Sequence, residues 1–464
     1  MSITILGLGP GDASLLTLEA KDVLDNAQEI YLRTSRHPTV ASLPAHLRLH
    51  SFDDLYESEG EFSTIYAKIG GEILRLGQRP EGVVYAVPGH PLVGEESVQR
   101  ILALSREQGC EVRIVPGLSF IEVALTFLGL DPLDGLQIVD AATLTERLHP
   151  NLDPDLPALV GQLYNRRVAS EVKLTLMNLY PADHEVMLLR HLGTREAITE
   201  PLPLHELDHV QDIDHLTTLF VPPLPNASSI STFHDIVARL RAPGGCPWDR
   251  EQTHQTLRPH LLEETYEVLQ AIDEEDDEAL REELGDLMLQ IVLHAQIAVE
   301  EGSFTLAQVL ETIIEKIIRR HPHVFAGLEV ADADEVLRNW QAIKRQEKEE
   351  KEDGLLWGMP LSLPALTLAR RAQERANREE LLSTSKDALL SEAQASLARL
   401  GEIEDRDEAA EALGHLLFAL TDLARRLGLD AESALRTTTV RFGEETASAR
   451  RSGHPSEDGP DPTR

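Results

Sequence analysis

Glu264 and Glu267 stand three residues apart, and Glu283 and Asp286 repeat that spacing. Positions i and i+3 share a helix face, so each pair can aim two carboxylates the same way. Both pairs lie in "RPHLLEETYEVLQAIDEEDDEALREELGDLMLQIVLHA" (258–295), where Arg281 is the one Lys or Arg between Glu263 and Asp286. Like charges on facing helices repel, and burying them costs more. A divalent cation removes both problems, and Mg²⁺ takes carboxylate oxygens together with water and phosphates. A solvated acidic surface is the competing reading, and for Asp273 to Glu278 a wet turn between the helices is enough. Leucines and isoleucines beside the pairs (Leu261, Leu262, Leu284, Leu287, Ile291) favour acids held next to a core.

Helices must therefore carry these acids. Residues 230 to about 350 are almost wholly of helical pattern, broken at "RAPGGCPWD" and "RRHPHVFAG". Residues 355–445 are helical again and read as a weak repeat: "REELGDLMLQIVLHAQIAVEEG" is echoed by "AEALGHLLFALTDLARRLGLD". Residues 1–222 differ. Short apolar runs ending in glycine or proline ("SITILGLG", "GVVYAVPG", "CEVRIVPG", "VMLLRHLG", "LTTLFVPP") alternate with helical segments, an α/β rhythm. Residues 223–229 read as a linker, the charged run closing at Gly354 as a boundary, and 446–464 as a disordered tail.

The chain has 464 residues and a formal charge of -36, which argues against binding nucleic acid through the phosphate backbone. Two cysteines, Cys110 and Cys246, make a disulfide framework implausible. With no charged-then-apolar leader at the start and no long apolar run, the expected location is cytoplasmic, with no membrane partner.

Residues 230–354 resemble the MazG-type nucleoside triphosphate pyrophosphohydrolases, whose signature is E-E-x-x-E, a spacer, then E-x-x-D. Glu263, Glu264 and Glu267, then Glu283 and Asp286, match it in order, and "GGCPWDREQTHQTL", "IIRRHPHVF" and "NWQAIK" match flanking segments. The resemblance implies Mg²⁺-dependent hydrolysis of a nucleoside triphosphate to the monophosphate and diphosphate. Glu264, Glu267, Glu283 and Asp286 would hold the metal, and Glu263 would hold or activate the water. Lys316, Arg319 and Arg320 would meet phosphate oxygens, an exposed helix face being the alternative. Trp248, His254, Trp340 and Lys344 would contact the nucleotide, with packing an equal role for both tryptophans and capping and packing the alternative for His254. Residues 355–445 resemble a second domain of this type without its acids. Glu392 stands alone where E-E-x-x-E is expected, and His415 follows Glu411 where an aspartate is expected. That part is read as structural or dimer-forming, so a homodimer is expected.

Residues 1–222 resemble the tetrapyrrole methylase family through "GPGDASLLTLEAKDVLDNAQEIY", "VVYAVPGHPLVG" and "VRIVPGLSFIEVALTFLGL". This implies two α/β lobes with S-adenosylmethionine in the cleft. Gly7, Gly9, Pro10, Gly11, Gly89, His90, Pro91, Pro116 and Ser119 would line or shape that cleft. His90 replaces the aspartate usual in G-D-P, and Tyr164, Asn165, Arg166 and Arg167 are further pocket candidates or a solvated segment. The expected fold is thus a two-lobed α/β methylase-like domain followed by all-α MazG-like domains. The favoured activity is the pyrophosphohydrolase. Two alternatives stand beside it: a methyltransferase with an accessory helical part, and a dimerising helical scaffold.

Overall fold

A computed structural model describes residues 2–58, 62–346, 355–356, 359–379, 381, 385–403 and 405–452. The chain divides into two compact units, 1–309 and 310–464. The expected boundaries at 222 and 354 are not where this division falls, and Gly354 lies outside the described residues.

The first lobe is a parallel five-stranded sheet in the order β3-β2-β4-β1-β5: β1 Ser2–Gly7, β2 Glu29–Leu32, β3 Arg48–Ser51, β4 Val83–Val87 and β5 Glu111–Val115. Helices α1 Leu18–Asn26, α2 Asp53–Ser58, α3 Phe62–Gly77 and α4 Glu96–Gln108 connect the strands, and α5 Phe120–Leu128 follows them. Apolar side chains are buried on both faces, as a parallel sheet requires: Ile3, Ile5 and Tyr85 pack in one cluster, Leu6, Leu24 and Ile30 in another.

The second lobe is a mixed sheet in the order β6-β7-β10-β8-β9 (β6 Gln137–Asp140, β7 Ala158–Gly161, β8 Glu185–Arg190, β9 Ile198–Pro203, β10 Thr217–Val221), with α6 Ala141–Thr145 and α7 Arg166–Leu176. β9 carries Pro201 and Pro203, which its edge position tolerates.

The expected linker is tied down. The Ser228 and Ser229 amides donate to Asp155 (2.8 and 3.2 Å), the Leu224 amide donates to the Pro154 carbonyl, and Ser229 caps the next helix. This fastening accounts for the first helices sharing a unit with the α/β lobes. They are α8 Ile230–Arg241, α9 Pro247–Glu251, α10 Arg258–Asp273 and α11 Asp277–Glu300, closed around Val237, Leu257, Val292, Leu293 and Ile297. α12 (Leu306–Arg320) crosses the division.

The second unit continues with α13 Pro322–Phe325, α14 Ala333–Gln346, α15 Ala365–Arg378, α16 Lys386–Leu400, α17 Arg406–Arg426 and α18 Ala431–Ser452. Its buried apolar positions are largely alanines (Ala372, Ala376, Ala393, Ala412, Ala419), while Leu413, Leu417 and Leu420 remain exposed. α18 runs into the segment expected as a disordered tail, so 446–452 is a correction. Those residues extend a helix already begun, and 453–464 lies outside the described residues. No described helix is long and apolar enough to cross a membrane.

Candidate active site

The acid pairs sit where helical spacing places them. Pro259 opens α10 in its first turn, where a missing amide hydrogen costs nothing. Asp276 caps α11, its side chain accepting from the Glu278 and Ala279 amides at 3.0 Å. The tight turn between them, with Glu275 at φ +55°, lays the two helices against each other. Glu264, Glu267 and Glu283 converge, with one carboxylate oxygen of each within 4.8 Å of the others.

Partial burial first, then Asp286, Glu267 and Glu263, raises the Glu264 carboxyl above its ordinary range. Burial followed by Glu267 and Asp286 does the same for Glu283. Asp286 is thus felt by both, although it lies outside the tight three. Glu263 points elsewhere: its side chain is 64% exposed, 3.6 Å from His260 Nδ1. Hard oxygen donors that raise one another's pKa are a donor set suited to a hard divalent ion.

The flanking apolar frame is less buried than expected. Leu262, Leu284 and Ile291 are exposed in the single chain, Leu261 and Leu287 are half-buried, and Tyr266 and Leu269 beside the first pair are exposed as well. The α8 contact covers α11 beyond the acids: Leu293 and Ile297, seven and eleven residues after Asp286 and on its face, pack against Val237 and Leu257, and Gln290 beside them is buried.

His254 is engaged with α11. Its Nδ1 lies 2.7 Å from His294 Nδ1, and the two rings stack at 5.0 Å. Trp248 is 53% exposed and edge-on to His260. Sequence reasoning missed Gln290 and His294. Both continue the Glu283–Asp286 face at steps of four, a signal present in the spacing. Lys316, Arg319, Arg320 and Trp340 belong to the second unit, where the Arg320 guanidinium lies 5.5 Å over the Trp340 ring. The Lys344 side chain lies outside the described residues. In the second unit His415 Nε2 is 3.9 Å from Glu411, and among the described residues no acid cluster forms around them.

In the first lobe the glycines pack backbone on backbone. A Cβ on Gly7 would sit 2.6 Å from the Gly117 nitrogen and 2.7 Å from the Gly89 carbonyl oxygen, and Gly9 (φ +75°) bridges Gly89. Thr39 Oγ1 supports the loop by donating to the Gly11 carbonyl at 2.6 Å. His90 Nδ1 accepts from the Leu92 amide at 3.1 Å, the i to i+2 turn bond that an aspartate also makes. Ser119 is committed to a capping box with Glu122 on α5. Pro10 and Pro91 are buried and Pro116 is exposed.

A cavity of about 360 Å³ adjoins these loops, lined by Asp12, Leu15, Leu118, Glu122, Phe127 and Arg195 among others. None of the expected cofactor residues lines it; their chain neighbours do. Asn165 caps α7, Arg166 donates to the Asp208 carbonyl and Arg167 pairs with Glu171, so these three are held locally.

A second polar centre was not foreseen. Arg33, just past β2, places Nε 3.2 Å from Glu95, and burial raises the Glu95 carboxyl to about 7 against the pull of Arg33. His37 is 7% exposed and pushed down to about 4 by burial, Arg33 and His215. Its signal was weak because Arg33, His37 and Glu95 are far apart in sequence and share no motif.

A family model described as "MazG nucleotide pyrophosphohydrolase domain" matches residues 252–325, and one described as "Tetrapyrrole (Corrin/Porphyrin) Methylases" matches residues 2–208. The YabN protein of Bacillus subtilis is 39% identical over 449 residues, covering 95% of this chain and 91% of that protein. The nucleoside triphosphate pyrophosphohydrolase/pyrophosphatase MazG of Thermotoga maritima is 44% identical over 209 residues, 45% of this chain and 80% of that protein. The nucleoside triphosphate pyrophosphohydrolase of Escherichia coli K12 is 42% identical over 214 residues, 45% of this chain and 81% of that protein. The acid cluster of α10 and α11 falls inside the first matched region, and the glycine loops fall inside the second. The chain therefore belongs to the MazG nucleoside triphosphate pyrophosphohydrolase family, with its MazG domain fused behind a tetrapyrrole-methylase domain.

Proposed function

We propose that the chain hydrolyses nucleoside triphosphates to the monophosphate and diphosphate in a Mg²⁺-dependent reaction at the acid cluster of α10 and α11. The convergence of Glu264, Glu267 and Glu283 within 4.8 Å carries this reading. These three, with Asp286, are the proposed metal ligands. Bound Mg²⁺ would supply charge neutralisation for the triphosphate and polarisation of a water. The chain's own part is to hold oxygen donors convergent before substrate arrives. Partial burial beside Asp286 keeps Glu264 and Glu283 hungry for positive charge. Glu263, beside His260, is placed to take a proton from water only if its exposed side chain turns inward. The roles of Lys316, Arg319, Arg320, Trp340 and Lys344 rest on the family resemblance. A purified-protein screen of nucleoside triphosphates with Mg²⁺, measuring diphosphate and monophosphate, tests the activity. Absence of both products with every nucleotide would refute it.

A second activity, S-adenosylmethionine-dependent methyl transfer, is favoured by the cavity beside the glycine loops. Its lining combines Leu15, Leu118 and Phe127 with two acids, Asp12 and Glu122, and one base, Arg195, a mixed apolar and charged wall that suits a small cofactor with both charged and apolar parts. Bound there, the cofactor would supply the methyl group. Residues 355–445 are proposed as a structural helical domain without a metal cage, in a cytoplasmic homodimer. The apolar face of α12 (Leu310, Ile313, Ile314, Ile317, Ile318, each more than 40% exposed) supports the dimer, because such a stripe needs a partner surface.

A further inference from the structure

Glu283, Asp286, Gln290 and His294 follow one another along α11 at steps of three, four and four, so they share one face. The helical rise sets Gln290 about 6 Å and His294 about 12 Å along the axis from Asp286. A nucleoside spans this range between its α-phosphate and its base. Both residues hold an orphaned polar atom. Gln290 is 6% exposed, and its Oε1 is buried without a hydrogen-bond partner. His294 Nε2 is likewise buried and unpartnered, while its Nδ1 is fixed by His254. Buried polar groups are ordinarily satisfied, and two unsatisfied on successive turns of one face call for an occupant. That face runs directly out of the acid cluster.

We propose that Gln290 and His294 read the nucleobase of the triphosphate whose phosphates lie at the acid cluster. This rests on the pyrophosphohydrolase reading above. A glutamine amide presents an acceptor and two donors in one plane, which matches the hydrogen-bonding edge of a base. The imidazole, locked through Nδ1, offers Nε2 as the second point of contact. His254 is then a positioning residue that fixes the His294 ring. Two polar contacts of this kind discriminate strongly, because a base of the wrong pattern leaves them unpaired.

The test compares the full-length protein with Gln290→Leu and His294→Phe. kcat and KM are measured for ATP, GTP, CTP and UTP, with equilibrium binding of their α,β-methylene analogues. The spread of kcat/KM across the four bases is expected to shrink by about tenfold to a hundredfold in each variant. The loss should fall mainly on KM and on analogue affinity for the preferred base. The ligand-free melting temperature of Gln290→Leu should hold or rise, because an unsatisfied buried oxygen has been removed. A wild-type base order and spread in both variants, with turnover intact, would overturn this inference alone. So would a change in sedimentation with unchanged base ratios, since a second copy would then be what satisfies the two atoms. A wild-type protein that neither turns over nor binds any analogue would overturn the activity, and this inference with it.

Discussion

Replacing Glu264 by Gln should make the metal-free protein more stable and the metal-loaded protein less responsive. The reasoning starts from charge. Glu264 and Glu267 place carboxylate oxygens within 4.8 Å of each other. Two unit charges at that distance repel by about 1 kcal/mol in water-like surroundings, and by more where solvent is excluded. Glu267 is exposed, so the lower figure applies. Glu264→Gln keeps the shape and removes the charge, which corresponds to a rise of about 2 °C in the melting of the unit that holds α10 and α11.

The metal works the other way. A ligand at a hundredfold its Kd stabilises by about 2.7 kcal/mol. Wild type should therefore gain about 5 °C with saturating Mg²⁺, and the variant much less. The pH dependence has a fixed sign. The folded-state pKa values of Glu264 and Glu283 are raised, so the folded protein holds more protons than the unfolded chain above about pH 4.3. This contribution is fully present below that pH and is lost as pH rises through the folded values. Wild type and Glu264→Gln should thus melt together at acid pH, where the carboxyl is protonated, and wild type should fall below the variant on going to neutral pH in EDTA. Differential scanning fluorimetry with EDTA or Mg²⁺ measures all of it. A variant that melts below wild type in EDTA at neutral pH would refute the repulsion argument. An equal Mg²⁺ response in both proteins would refute the metal site.

Alanine at Glu264, Glu267, Glu283 or Asp286 should lower kcat by about a thousandfold or more while far-ultraviolet circular dichroism is kept, and near-normal turnover in all four would count against the assignment. Turnover in ¹⁸O-water should put label in the monophosphate, and label in the diphosphate would place the attack on another phosphorus. Titration calorimetry on the full chain should show S-adenosylmethionine binding that weakens about tenfold or more in Asp12→Asn, and equal affinities would remove the cavity from the cofactor site. Ile314→Asp on the exposed face of α12 should shift sedimentation from dimer to monomer, and an unchanged dimer would show that another surface holds it.

What could be read in advance follows from how far apart cooperating residues lie in the chain. The strands β1, β4, β5, β8 and β10 announce themselves as apolar runs closed by glycine or proline, and all five form. β2, β3, β6, β7 and β9 are shorter or more polar. β3 is "RLHS", exposed at every position on a sheet edge, so its sequence carries no burial pattern. The acid pairs were legible because the helix brings i and i+3 together without help from the rest of the fold.

The glycines were legible as necessary but not in purpose. Gly7 and Gly117 come from two strand ends, and only the assembled sheet shows that each is small to admit the other's backbone, while Gly89 is called for by its φ of +65°. The Arg33–Glu95 pair and His37 needed two neighbouring strand ends to meet, which no local pattern records. Gln290 falls between these cases. Its place on the acid face follows from counting along α11, but a glutamine there reads as any polar helix residue. Burial to 6% exposure with an unpaired Oε1 is what separates it, and burial is a property of the packed helices. Spacing within one element therefore picked out the acids proposed to hold the metal, whereas the residues proposed to choose the base become visible only when the helices are set against each other.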